Sequence, residues 1–338
     1  MTPAMRPKLW IKVAVTLAFL GLIFWVVPFR QLWGAARRLE PAVWLSAFAG
    51  LVAGHGVGVF KWRLNVNLSR ANLRPLDAVQ CYSAGMFANL CLPTIVGGDA
   101  LKALLAGRVT RRYEAAVIGG VTERLIDTTA LLVLITTGAF LMRAAAPGWA
   151  RQVALVGALI AIATAVLFLP LLLRQPLARW PKRLRPTAGR SLVALRRLRR
   201  RPQLALGVLA ISLSIQAWFV LLNAWLGRGI GIEIPLAVWF FAVPMAKAVT
   251  LLPISVGGFG LREVTIAGWL TLLAAVPNEE GLAASFLWQT LVIAIGLSGG
   301  AAWFALGLRR GARTGAGHGS LLAPLAAGAQ NARATGRP

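Results

Sequence analysis

Acidic side chains are scarce in this chain: 338 residues hold 10 Asp and Glu against 36 Lys and Arg, a formal net charge of +26. Histidine, cysteine and tyrosine are nearly absent, at two residues each. His55 and His318 are too few and too far apart to build a metal site. Cys81 and Cys91 share one apolar stretch, with neither metal-ligand spacing nor a disulfide framework, and read as packing residues. There is no GxSxG, no HExxH, no Walker loop and no long soluble domain. No cofactor is therefore expected, and catalysis is not the expected function. An intramembrane transferase remains as an alternative, because buried acids and cations can still do chemistry. A strongly basic soluble protein would suggest nucleic acid. Here the cations fall in loops between apolar runs and form no aromatic-rich basic face, so nucleic acid is not an expected partner.

Apolar length is what the chain has in abundance. Hydrophobic residues make up 58% and the mean hydropathy is +0.70, well above globular usage. Apolar runs fall at about 9–29, 43–60, 78–92, 115–142, 152–173, 203–226, 235–252 and 282–307. Runs of about 20 residues are enough to cross roughly 30 Å of hydrocarbon as helix. The short alternating segments of a β-barrel are missing, so the fold class is an all-α polytopic membrane protein. The run after Arg6 and Lys8 is longer than a signal-peptide core and reads as an uncleaved first span.

Basic loops stay inside. Segments 61–77, 102–113 and 174–201 are cationic, whereas 276–281 carries Glu279 and Glu280 with no cation. The arrangement that fits has both termini cytoplasmic and full spans at 9–29, 43–60, 115–142, 152–173, 203–226 and 282–307. Segment 78–107 then dips in from the cytoplasm and 235–275 from the outer side. These two are read as re-entrant hairpins of an inverted repeat; the alternative is that one or both cross fully. The expected domain is 1–310, with a disordered tail at 311–338. The segment 177–200 is a candidate for an interfacial amphipathic helix or a solvated basic loop.

One phrase is written twice. Leu92-Pro93-Thr94-Ile95-Val96-Gly97-Gly98-Asp99-Ala100-Leu101-Lys102 returns as Leu252-Pro253-Ile254-Ser255-Val256-Gly257-Gly258-Phe259-Gly260-Leu261-Arg262, at an offset of 160 (253 − 93). Proline removes a helical hydrogen bond, and two glycines allow unusual backbone. Such a break inside the membrane must be buried in protein or line a wet cavity. Paired breaks in two halves point to a transporter-type binding site. A helix starting after each Gly-Gly would turn its first N–H groups inward and favour an anion. Gly97, Gly98, Gly257 and Gly258 are thus candidate binding positions, reinforced by Lys102 and Arg262. Asp99 can cap the new helix and can also bind a cationic group or a proton, two compatible roles; its counterpart is Phe259, and Glu263 stands beside Arg262. Inside span 115–142, Glu123 and Asp127 share a helix face with Arg124 about 100° away. This triad either lines a cavity or forms a buried ion-pair network. Lys247 is the lone cation of the run 235–252 in the second half, able to pair with Glu123 or Asp127 or to face a phosphate. His55, Gln216, Asn223 and Gln289 read as interhelical hydrogen-bonding groups.

Taken in order, Asn89-x2-Leu92-Pro93-x3-Gly97-Gly98-Asp99-x2-Lys102, Glu123-Arg124-x2-Asp127 and Leu252-Pro253-x-Ser255-x-Gly257-Gly258-x-Gly260-x-Arg262-Glu263 resemble the lysylphosphatidylglycerol synthase transmembrane region family. These are flippase-like proteins related to the membrane half of the multiple peptide resistance factor. The resemblance covers about residues 9–307. It implies a bacterial inner-membrane protein that moves lipid between leaflets. The implied partner is a membrane lipid, either an anionic or aminoacylated phospholipid or a polyprenyl-phosphate lipid, with a lipid-synthesis enzyme as a further partner. The chain lacks the aminoacyl-transferase domain of the full resistance factor, so it resembles the translocating module alone. Lys102 departs from the family's usual Arg, keeping the charge but losing a bidentate grip. A membrane accessory protein that moves nothing, docking a partner through 174–201, is the remaining alternative.

Overall fold

A computed structural model describes residues 37–68, 71–91, 97–142, 202–250 and 260–313, with isolated residues 34, 148 and 152. They form eight helices: α1 (Pro41–Leu68), α2 (Pro75–Cys91), α3 (Gly97–Thr110), α4 (Tyr113–Leu141), α5 (Pro202–Gly229), α6 (Leu236–Thr250), α7 (Leu261–Ala274) and α8 (Asn278–Arg313). No strand occurs among the described residues. Proline opens α1, α2 and α5, where its missing N–H would have no helical partner in any case. Glu279 and Glu280 sit in the first turn of α8, where the helix dipole favours negative charge. Between α5 and α6 the chain turns through Gly231 at φ 96°, a conformation that suits glycine.

Among the described residues, four helical segments are long and apolar enough to cross a membrane: α1, α4, Leu206–Gly229 of α5 and Asn278–Gly307 of α8. They correspond to the expected spans 43–60, 115–142, 203–226 and 282–307. The other two, 9–29 and 152–173 (residue 152 apart), lie outside the described residues, as do 177–200, 314–338, 92–96 and 251–259. Two boundaries differ from expectation. Helix α1 runs to Leu68, so Lys61 belongs to the span and not to a cytoplasmic loop. Helix α8 runs to Arg313, beyond the expected domain end at 310.

The remaining helices have 17, 14, 15 and 14 residues. At 1.5 Å per residue they are about 21–26 Å long, short of the roughly 30 Å core. Helices α2 and α3 pack as an antiparallel pair. Gly85 lies against Gly98 and Lys102, and the Gly98 amide donates to Asn89 Oδ1 at 3.1 Å.

The order long, short, short, long occurs twice, and the packing follows it. Helix α2 packs on α8, and α6 on α4; α3 packs on α4, and α7 on α8; α4 packs on α5, and α8 on α1. Each pairing is the other with the two halves exchanged. Helices α1 and α5 meet each other antiparallel. Gly229 lies against Val43, Trp225 Nε1 donates to Ser46 Oγ (3.1 Å), Trp218 Nε1 donates to the Gly50 carbonyl (2.8 Å), and Gly54 lies against Phe219. Small residues let the helices approach, as usual in lipid: Gly138 of α4 faces the backbone of Phe240 and Phe241, and Gly119 faces that of Val66. One buried cluster, including Leu51, Ile135, Leu226, Trp239, Phe241 and Leu270, joins both halves. A second surrounds Trp62, Cys81, Ala84 and Leu105.

Candidate functional site

All ten acids of the chain are among the described residues, so the placement of negative charge is complete. Three of them form one network, buried at Lys61, Lys102 and Glu123 and half-exposed at Asp99, Arg124 and Asp127. Lys102 Nζ lies 2.9 Å from Glu123 Oε2 and 3.2 Å from Asp99 Oδ1. Arg124 donates to Asp99 through Nε at 2.6 Å and also through Nη2. Lys61 pairs with Asp127, donates to Ser212 Oγ at 3.1 Å and lies 3.8 Å from Glu123 Oε1. Ser212 Oγ donates to Asp127 Oδ1, and Gln216 Nε2 to the Asp127 carbonyl at 2.8 Å. Three cations thus balance three carboxylates across α1, α3 and α4, with α5 supplying Ser212 and Gln216. The Lys102 ammonium also stands over the rings of Trp62 and Tyr82, at 5.1 and 5.0 Å.

Beside the network is a cavity of about 320 Å³. Its walls are largely apolar, from Leu51, Leu131, Val220, Val243, Val292 and Ile295. Three cations reach it: Arg124, Lys247 and Arg262. Arg124 is tied to Asp99. Among the described residues, the Lys247 ammonium, exposed to the cavity, has only Gln216 Oε1 at 3.4 Å. Arg262 lies on the face of Trp288, 5.3 Å from its centroid. No ion pair joins Lys247 or Arg262 to any Asp or Glu of the chain. Glu263, next to Arg262, instead accepts the Gly260 amide at 2.7 Å and secures the start of α7, where Gly260 adopts φ 81°. Pro244, inside α6, also lines the cavity and removes one helical hydrogen bond there.

The two phrases therefore hold their cations differently. In the first, Lys102 is held by Asp99 and by Glu123 of the following long helix. In the second, Phe259 stands at the position of Asp99, and Arg262 meets the Trp288 ring of α8. Lys102 does not line the cavity, and Arg262 does. Asp99, in the first turn of α3, is an ion-pair partner, and Asn89 Oδ1 accepts the Gly98 amide there. Gly97 and Gly98 open α3, with Gly98 buried between Asn89 and the Gly85 carbonyl. Gly257 and Gly258 lie outside the described residues. Lys247 meets neither Glu123 nor Asp127, because Lys61 occupies Asp127. Gln216 bridges Lys247 to the network, Asn223 Nδ2 donates to the Phe219 carbonyl, and His55 Nδ1 lies 3.4 Å from Tyr82 Oη.

Residues 9–300 match the family described as Lysylphosphatidylglycerol synthase TM region. The chain belongs to this family. It is a multi-pass membrane protein with a lipid-related role. No curated protein and no solved structure matches it. The whole cavity of this lysylphosphatidylglycerol synthase TM region protein, from Leu51 to Gly296, falls inside the matched residues.

Sequence reasoning missed Lys61 and Ser212. A signal for Lys61 was present: it continues the buried stripe Ala47, Leu51, Gly54, Gly58, Lys61, Asn65, whose three- and four-residue steps mark one helix face. Nothing in the neighbourhood of Ser212 separates it from Ser214.

Proposed function

We propose that the protein is an inner-membrane lipid translocase that moves a lipid with a phosphate headgroup between leaflets. The observation that carries this reading is the cavity. It brings Lys247 and Arg262, both without a carboxylate partner, into an apolar surround built by membrane-spanning helices. Charge in such a place is costly and marks a substrate path. The exchange of packing partners between halves, with α1 antiparallel to α5, supports an inverted repeat. The short α2–α3 and α6–α7 pairs would then be re-entrant from opposite faces, the arrangement used for alternating access. Asp99 and Glu123, the acids an intramembrane transferase would use as base, are both held by cations, which favours translocation over transfer.

Each charged hydrogen bond to phosphate contributes about 1.5–3 kcal/mol. Lys247→Gln and Arg262→Gln are therefore each expected to slow lipid flip at least about 10-fold in proteoliposomes, at wild-type protein content and melting temperature. Wild-type flux in both variants would overturn the reading. The topology has its own test. With Cys81 and Cys91 replaced by Ala, Asn278→Cys is expected to react with an impermeant maleimide added outside. Reaction only from the cytoplasmic side would exclude the opposed-hairpin arrangement.

A further inference from the structure

We infer that the headgroup accepted by the cavity is a phosphomonoester or diphosphate without an amine, and that an aminoacylated phospholipid is a poor ligand. The inference rests on the lipid-binding part of the function proposed above and names its substrate class.

The argument starts from where the acids are. None of the ten lines the cavity. Asp99, Glu123 and Asp127 are held by Lys61, Lys102 and Arg124, and Glu263 is turned to the Gly260 amide. The other six, Glu40, Asp77, Glu114, Glu233, Glu279 and Glu280, all lie within the first turn of a helix or in the segments just before one. The cavity therefore holds two positive charges, on Lys247 and Arg262, with no carboxylate in its lining or in ion-pair contact with either; Asp127 and Glu263 act on them only from outside the lining. An anion with more than one negative charge is complementary to that field. A lysyl ester brings two ammonium groups, charged at neutral pH, against a single phosphodiester charge. It would set ammonium against Lys247 and Arg262 with no acid to receive it, and like charges so placed disfavour the complex.

Size and the remaining polar groups narrow the ligand further. About 320 Å³ is at the small end of ligand pockets. It suits a headgroup, with the hydrocarbon left among the helices and lipid. His55, Asn89, Asn223 and Gln289 give the cavity uncharged donors and acceptors. These fit the hydroxyls of glycerol or a sugar better than a second charge.

The divergence between the halves agrees. The first phrase neutralises its cation with Asp99 and Glu123. The second has Phe259 at the sequence position of Asp99 and lays Arg262 on the Trp288 ring, which leaves the Arg262 charge in the cavity without an ion-pair partner.

The test is calorimetric titration of the purified full-length protein with four probes: farnesyl diphosphate, dihexanoyl phosphatidic acid, dihexanoyl lysyl-phosphatidylglycerol and inorganic phosphate. The two phosphate-terminated lipids are expected to bind at least 10-fold more tightly than the lysyl lipid and than inorganic phosphate. Lys247→Gln and Arg262→Gln, with unchanged melting temperature, are expected to remove at least 10-fold of that affinity and to leave the lysyl lipid unaffected or improved. Equal or tighter binding of the lysyl lipid overturns the inference, as does an unchanged preference in both variants. Inorganic phosphate binding as tightly as the lipids overturns it too, by making the site one for a free anion. The preference without flux in vesicles would refute translocation and support the headgroup assignment. Flux of lysyl-phosphatidylglycerol with the preference reversed would do the opposite.

Discussion

Replacing Lys102 with Met is expected to destabilise the protein by about 3–5 kcal/mol, the usual cost of removing one partner from a buried ion pair. Lys102 is 6% exposed and Glu123 7%, so water cannot take over the lost interaction. The substitution leaves three carboxylates facing Lys61 and Arg124 alone. The double variant Lys102→Met, Glu123→Met restores the balance, because Lys61–Asp127 and Arg124–Asp99 remain as two complete pairs. It is therefore expected to be more stable than the Lys102 single variant, in spite of carrying one more change. Thermal unfolding of the wild type, both singles and the double in one detergent gives the coupling directly. A Lys102→Met protein that melts with the wild type would show that the network holds nothing together. The same cycle separates this network from the cavity. Lys247 and Arg262 make no ion pair, so their neutral variants are expected to lose ligand and keep their melting temperature.

Gly98→Ala is expected to cost about 1–3 kcal/mol or more by overpacking. Its Cβ would overlap both the Gly85 carbonyl oxygen and Asn89 Oδ1, the atom that now accepts the Gly98 amide. One contact is main chain, so relief requires α2 and α3 to separate rather than a side chain to rotate. Gly120→Ala is the control. Its Cβ meets nothing within 4 Å, and in the interior of α4 alanine is favoured over glycine by up to about 1 kcal/mol. The two substitutions are chemically identical and are expected to shift the melting temperature in opposite directions. A Gly98→Ala protein as stable as Gly120→Ala would mean that the close approach at the first break does not limit packing.

The polar triad of α4 was legible because lipid makes Glu123, Arg124 and Asp127 conspicuous in an apolar run. Which of them would meet a ligand was not. Lys102 and Arg262 occupy the same place in a repeated phrase, and the phrase suggests a shared task. Their partners come from other helices, Glu123 in one case and Trp288 in the other, and only those partners divide a neutralised cation from one left to the cavity. Lys61 reads as part of a cytoplasmic loop because charge ends an apolar run in one dimension. In three dimensions Asp127, 66 residues away, draws it into the membrane.

The sequence by itself determined the solvent and the skeleton: an all-helical membrane protein, four of its crossings, two broken places and a shortage of acid. Those follow from length and composition, because a bilayer requires apolar helices of a given length and penalises any charge inside it. The tertiary structure alone decided the pairing of charges. Ten acids cannot partner 36 cations, and which cations go unpartnered depends on the register of one helix against another. That register is set by close contacts such as Gly138 on the α6 backbone and Gly98 on Gly85, which no local pattern reveals.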